Sequence, residues 1–434
     1  MKKLALVISC LVATNSFALT QTTTQQNLQN ELKELQKEIA LLNKEVSQEA
    51  TVETKPSFIA LDTVNPYAFM PSTSLAYSIL QSKDVLNNPL VIGGEVEADL
   101  QKWGGSYAPS TNNTPPDAIS YHSGSGVSFS SAAFYTVANF SNYFTGVAAL
   151  QTNLPSNSVS LGRAFINVGN LDLNPLYFTG GDNYLPVGAF DGNGPWSNAL
   201  TTNMFRAAAN QAVLGWHPLK SGLNVNVGVY QTPSTFNNDL TNYLANATYT
   251  RVLGLFTVNA GAGYLSDLRG DGSTVGSAFT SQTINGIPSG PIYNSQRNGM
   301  FDANIGLSYG EYGVTSEYVT SAQNVNKGTS TTSNGKLDAW MVSADYTPVV
   351  RNIPITAQVS YSATDNMANV PMPLDGAIAS DFDTTPGNGM RNQWLTSVTG
   401  EVYTNVYVGP EFQYAKLYSD KDTWTTTLDA SAFF

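Results

Sequence analysis

Trp424-Thr425-Thr426-Thr427-Leu428-Asp429-Ala430-Ser431-Ala432-Phe433-Phe434 is the stretch on which the fold turns. Side chains of an extended strand alternate between its two faces. Trp424, Thr426, Leu428, Ala430, Ala432 and Phe434 therefore share one face, against Thr425, Thr427, Asp429, Ser431 and Phe433. One face suits hydrocarbon and the other suits water. An alternating strand that stops on Phe resembles the C-terminal signal read by barrel-assembly machinery, so Trp424, Leu428 and Phe434 are expected to form an assembly signal.

Working back along the chain, the same period of two recurs. Ile92, Gly94, Val96, Ala98 and Leu100 alternate with Gly93, Glu95, Glu97, Asp99 and Gln101. Leu223 to Tyr230, Phe256 to Tyr264, Asp302 to Tyr309, Trp340 to Tyr346 and Ile355 to Tyr361 repeat the pattern, several apolar rows ending in Tyr. Aromatic ends of this kind suit a girdle at a membrane surface. The spacing predicts about 16 such segments, within the even-number rule for bacterial barrels. Thr347–Asn352 and Ser419–Asp422 read as periplasmic turns, and Ser266–Asn298 and Thr364–Met390 as extracellular loops.

Composition agrees. Charged residues make up 12% of 434, with 22 Tyr and 19 Phe, about half the usual charged share of a soluble globular chain. A net charge of −12 with no Lys/Arg cluster argues against a nucleic-acid partner. Cys10 alone offers no disulfide framework. No apolar run of ~18 residues occurs, so a membrane can be crossed only by a closed barrel. The reading is all-β: a transmembrane antiparallel β-barrel over residues 89–434, in the cell outer membrane.

The N-terminal region reads differently. Lys2 and Lys3 precede an apolar run, and Ser16-Phe17-Ala18 fits a cleavage site, so residues 1–18 are expected to be a signal peptide. Val7-Ile8-Ser9-Cys10 offers a competing lipoprotein reading with a short apolar region. Leu28, Leu32, Leu35, Ile39, Leu42 and Val46 form a heptad stripe. Residues 19–49 are thus expected to be a periplasmic helix, either a coiled coil joining protomers into a homo-oligomer or a lone amphipathic helix. Residues 50–88 read as a linker, with one short helix over Ser74 to Gln81 whose apolar face is Leu75, Ile79 and Leu80.

Glu95, Glu97 and Asp99 should face the lumen together, as a row that favours cations or holds iron with hard oxygen ligands. The structural alternative pairs them with inward Arg163, Arg206 or Arg251. Glu317, Glu401 and Glu411 are further inward candidates, and structural roles are the default for them. Asp267, Asp271, Asp375, Asp381 and Asp383 lie on outer loops, where solvated charge is the default. Only His122 and His217 could serve a hydrolase. Neither sits in a nucleophile-elbow, zinc or phosphate-loop spacing, so no enzyme and no cofactor are expected. His217, beside Trp216, reads as a girdle residue.

Pro89-Leu90-Val91-Ile92-Gly93-Gly94-Glu95-Val96-Glu97-Ala98-Asp99-Leu100-Gln101-Lys102-Trp103 resembles the opening strand of the LbtU-type siderophore porins, related to the FslE and FupA iron-uptake proteins. Leu75 to Leu80 is similar to the helix leading into it, and Gly180 to Phe190 to a strand and bend of that family. Gly313 to Thr320 and Gly409 to Phe412 match smaller pieces. The resemblance implies TonB-independent uptake of ferric siderophore or iron, with outer-membrane lipid and lipopolysaccharide as surroundings. A general small-solute porin and a structural or adhesive envelope barrel remain the alternatives.

Overall fold

The computed structural model describes residues 73–82, 86–106, 123–153, 158–218, 221–231, 240–269, 273–278, 283–284, 287–288, 297–325, 335–351, 353–368, 370, 372–373, 382–383 and 389–434. The signal peptide, the heptad helix, His122, Asp271, Asp375 and Asp381 lie outside the described residues.

Each alternating segment becomes a strand. In chain order these are β1 (Leu90–Gly105), β2 (Ser123–Ser141), β3 (Phe144–Asn153), β4 (Ser158–Gly169), β5 (Leu176–Tyr184) and β6 (Ala208–Trp216). Then come β7 (Leu223–Gln231), β8 (Asn242–Leu253), β9 (Phe256–Leu265), β10 (Met300–Tyr309) and β11 (Tyr312–Ser321). The wall ends with β12 (Asp338–Tyr346), β13 (Ile353–Asp365), β14 (Met390–Tyr403), β15 (Val406–Leu417) and β16 (Asp422–Phe433). Every neighbour is antiparallel, and β1 pairs with β16 to close a barrel of 16 strands. Val349–Val350 adds a two-residue pairing to the start of β13.

Closure runs from Glu95 opposite Phe433 to Gly105 opposite Thr423. Beyond it, Gly94 and Phe434 exchange backbone hydrogen bonds of 2.9 and 3.0 Å. Gly94 has to be glycine, since a Cβ there would lie 2.4 Å from the Phe434 ring and 2.7 Å from the Ala133 carbonyl oxygen. The ring leaves the wall without an edge strand, the condition for putting a sheet in hydrocarbon.

The alternation falls as the sequence predicts. Leu100, Ile305, Leu307 and Leu428 point outward and are 44–53% exposed, while Asp99, Gln101, Thr427 and Asp429 point inward and are buried. A continuous exposed apolar wall is untenable in water and is what a bilayer requires. Aromatic pairs mark two levels of it. Phe256–Tyr309, tilted, and Tyr312–Tyr346, stacked, lie at one end, with ring centroids 4.6 and 4.7 Å apart. Tyr264–Phe301 and Tyr361–Trp394, both at 4.7 Å, lie toward the other. Phe256 and Tyr264 on β9 are about 26 Å apart along the strand, at ~3.3 Å per residue.

Connections alternate in length. Turns after β2, β8, β10, β12 and β14 gather at the end that holds Phe434. The 365–390 and 265–300 connections lie at the opposite end. Ser419–Asp422 corrects the turn assignment: it joins β15 to β16 at the long-loop end, because one strand of each hairpin must run back. Its brevity misled, since length alone does not fix the side. No helix among the described residues is long and apolar enough to cross a membrane.

Candidate functional site

Two segments narrow the lumen, one from each end. The first is the connection from β5 to β6. It is not polar like the other long connections, and Leu185, Val187, Phe190, Leu200, Met204 and Phe205 are all buried. The segment turns into the barrel, carrying the short helix α2 (Leu200–Phe205). Phe190 and Gly192 hold positive φ of 54° and 76° at the bend. A Cβ at residue 192 would lie 2.9 Å from Met341 Sδ.

Carboxylates on facing walls fasten this segment by its backbone. Glu317 Oε1 on β11 accepts the Ala189 and Phe190 N–H groups at 2.8 and 2.9 Å. Glu411 on β15 accepts the Trp196 N–H at 2.9 Å and the Ser197 N–H at 3.0 Å. Leu200 N–H donates to Ser362 Oγ on β13 at 3.1 Å. A hydrogen bond of this kind contributes ~0.5–1.5 kcal/mol net, and with two backbone N–H groups on each, the two glutamates act as clasps. They point inward as expected, and their role is to hold the narrowing segment.

The second segment is α1 (Leu75–Gln81), at the short-turn end. Leu75 and Ile79 are buried in an apolar patch on the inner wall that includes Val91, Tyr135, Val137, Val147 and Phe165. Leu80 packs against Leu171 and Tyr177. Asn167 Nδ2 on β4 donates to the Ala76 carbonyl oxygen at 2.9 Å, and Thr73 Oγ1 donates to the Gly188 carbonyl oxygen at 2.7 Å. That last bond ties the two segments together. His217 faces inward, not into the lipid girdle: its ring meets Tyr77 edge-on, centroids 4.8 Å apart, and Nδ1 lies 2.8 Å from the Leu223 carbonyl oxygen. Trp216, one position earlier, takes the outward face.

Between the segments lies a cavity of about 400 Å³ lined by asparagine, serine and threonine residues together with apolar surface. Asn224 and Asn226 of β7, Asn246 of β8, Asn259 of β9 and Asn304 of β10 form one wall. Tyr177 donates its hydroxyl to Asn224 Oδ1 and Asn226 Oδ1 at 3.0 and 2.7 Å. Asp191 is exposed to the cavity inside the ring of the wall. Its carboxyl is pushed up to about 7, first by desolvation within the barrel and then by the Glu317 and Asp345 carboxylates.

The remaining candidates divide among other contacts. Glu95 Oε2 accepts the Tyr135 hydroxyl at 2.7 Å beside the α1 pocket. Glu97, Asp99 and Asp429 bring carboxylate oxygens within 4.8 Å of one another across the β1–β16 seam, a set with the chemistry to hold a divalent cation. Asp429 enters only through the seam register, which sets it opposite Asp99. Arg163 and Arg206 lie over the Tyr184 ring, 3.7 and 4.7 Å from its centroid, and Arg251 reaches the Tyr249 hydroxyl at 3.3 Å. Glu401 Oε1 accepts the Asn405 N–H at 2.9 Å and caps the turn after β14. Asp267 is buried, not a solvated loop charge, with Arg269 Nη2 at 2.7 Å. Asp383 pairs its backbone with Met372 in a loop hairpin.

A family model described as "Protein of unknown function (DUF3573)" matches residues 56–286. Two Legionella pneumophila proteins, UPF0422 protein lpl2888 of strain Lens and UPF0422 protein lpg2959 of strain Philadelphia 1, are each 32% identical over 68 residues. Those residues are 16% of this chain, and the chain spans 13% of the length of these curated relatives. Among solved structures, the loop-L8 deletion mutant of the Vibrio cholerae outer membrane protein OmpT is 13% identical with TM-score 0.49, covering 80% of this chain and 99% of that one. Pseudomonas putida OprB is 10% identical with TM-score 0.49, over 81% and 96%. The anion-selective porin from Comamonas acidovorans is 11% identical with TM-score 0.46, over 80% and 99%.

Proposed function

This chain belongs to the DUF3573 family, whose description names no activity, and from its own lumen we propose that it is a porin-like channel of the outer membrane for small polar solutes. One observation carries the reading. A closed, apolar-skinned wall surrounds a cavity with a row of asparagines on one side, which two fastened segments narrow without filling. A purely structural barrel gains nothing from keeping about 400 Å³ of asparagine-lined space at its centre. That volume is on the order of a dozen waters by their share of the liquid, which suits a small solute. The chain works without catalysis in this reading, surrounded by outer-membrane lipid and lipopolysaccharide and inserted by barrel-assembly machinery.

Planar-bilayer recording tests the proposal. Purified full-length protein with heat-modifiable gel mobility should give discrete conductance steps. Folded protein that opens at no voltage would return the envelope-structural reading to first place.

Iron uptake is the second reading, and a specific observation favours it. The Glu97, Asp99 and Asp429 oxygens form a hard donor set facing the lumen, and the opening strand resembles the LbtU-type siderophore porins. Iron, free or carried by a siderophore, is cargo here. Radiolabelled iron uptake by a deletion strain under iron starvation should fall; unchanged uptake would remove the assignment.

A further inference from the structure

The peptide unit between Gly188 and Ala189 is gripped from two sides. Its carbonyl oxygen accepts the Thr73 hydroxyl at 2.7 Å, from a residue two positions before α1. Its N–H donates to Glu317 Oε1 on β11 at 2.8 Å, and the Phe190 N–H donates to the same oxygen at 2.9 Å. A peptide unit is planar, so its C=O and N–H turn together. The grip from α1 and the grip from β11 therefore hold one orientation between them.

The backbone is built to turn at this point. Gly188 holds a φ of 86°, which costs glycine little, and a Cβ there would lie 2.5 Å from the Phe190 ring. Glycine at 188 leaves the peptide free to rotate once one grip is lost. Phe190 at a φ of 54° is costly for a residue with a side chain, and it keeps that conformation only while its contacts hold.

The two grips are unequally anchored. Glu317 stands on a strand paired with β10 on one side and β12 on the other. With only seven residues, α1 is too short to be stable as a helix alone. It is held to the wall by Leu75, Ile79 and Leu80 and by the Asn167 bond to Ala76. Of the two, α1 is the piece that can leave.

We propose that α1 is a strap on the constriction: docked, it holds the Gly188–Ala189 peptide turned toward Glu317, and undocked, it releases that end of the inward segment. Without Thr73, the Gly188 carbonyl must find another donor. Turning toward lumen water swings the Ala189 N–H away from Glu317. The other end of the segment is fastened apart from α1, with Trp196 and Ser197 on Glu411 of β15, and stays in place. A displacement at the short-turn end thereby widens the passage inside the barrel. The widening rests on the channel reading, whereas the strap does not.

Amide hydrogen exchange, read residue by residue on full-length protein in detergent, tests the strap without any conductance. Thr73→Val removes the donor and keeps the shape, and Thr73→Ser keeps the donor. In Thr73→Val the Ala189 and Phe190 amides should exchange about threefold faster or more, as loss of a hydrogen bond allows. The Trp196 and Ser197 amides should keep their wild-type rates, and Thr73→Ser should match wild type at all four. Unchanged exchange at Ala189 and Phe190 in Thr73→Val overturns the proposal. Equal acceleration at all four amides overturns it too, because that is general loosening. Should Thr73→Val fail to fold, Ile79→Asp, which places a carboxylate in the pocket that docks α1, is read at the same four amides. In planar bilayers Thr73→Val should raise mean conductance and Thr73→Ser should not. Absent conductance in every form removes the channel and leaves the exchange rates to decide the strap.

Discussion

Glu411 accepts the Ser197 N–H with both carboxylate oxygens, at 3.0 and 3.1 Å, reaching across from β15 to a segment that belongs to the opposite side of the barrel. The residues are 214 positions apart in the chain. Removing the carboxylate leaves the Trp196 and Ser197 N–H groups without it, at ~1–3 kcal/mol per unsatisfied group. Glu411→Ala should loosen the inward segment. Single-channel recordings should show larger, noisier conductance, with the heat-modifiable gel shift retained.

The helix at the other end offers an independent lever. Ile79 is fully buried against the inner wall, and a carboxylate there lacks a partner in an apolar pocket. Ile79→Asp should expel α1 and raise mean conductance, while Ile79→Val should leave it near wild type. Equal conductance in all three would show that α1 does not obstruct the passage.

Protonation of Asp191 sets a pH dependence. Its carboxyl is raised to about 7, so it is mostly neutral at pH 6 and mostly charged at pH 8. Glu317 on β11 and Asp345 on β12 face it and contribute to the shift. Negative charge in the cavity therefore increases as pH rises through about 7. The potassium-over-chloride permeability ratio, from reversal potentials across a salt gradient, should rise over that interval. Asp191→Asn should flatten the rise.

Closure depends on Gly94. A valine there must displace either the Phe434 ring or the β1–β2 backbone contact at Ala133. Gly94→Val should lower the temperature at which the folded gel band disappears by at least several degrees. Deleting Phe434 should lower the amount of folded protein recovered from outer membranes.

How much of this the sequence discloses depends on the range of each interaction. Period-two alternation is local, so the outward row of Ile92, Val96 and Leu100 and the strand ending at Phe434 are legible directly. The short helix and its apolar face, Leu75, Ile79 and Leu80, follow from spacing as well. The side on which Ser419–Asp422 turns depends on counting every strand before it, and length alone misassigned it. Asp429 joins Glu97 and Asp99 only through ring closure, which sets residue 429 opposite residue 99. The inward segment left one unused signal. A long connection holding Leu185, Val187, Phe190, Leu200, Met204 and Phe205 is too apolar for water. His217 turned inward because Tyr77, far from it in the chain, supplies its contact.

Water access along adjacent wall positions tests the central claim most directly. In intact outer membranes, on a Cys10→Ser background, single cysteines would replace Asn259 and Asn304 on the inner face, and Val258 and Leu307 on the outer. A small water-soluble maleimide should label the first two, and only a lipid-partitioning maleimide should label the second two. Uniform labelling of all four by the water-soluble reagent would contradict a closed wall between lipid and lumen.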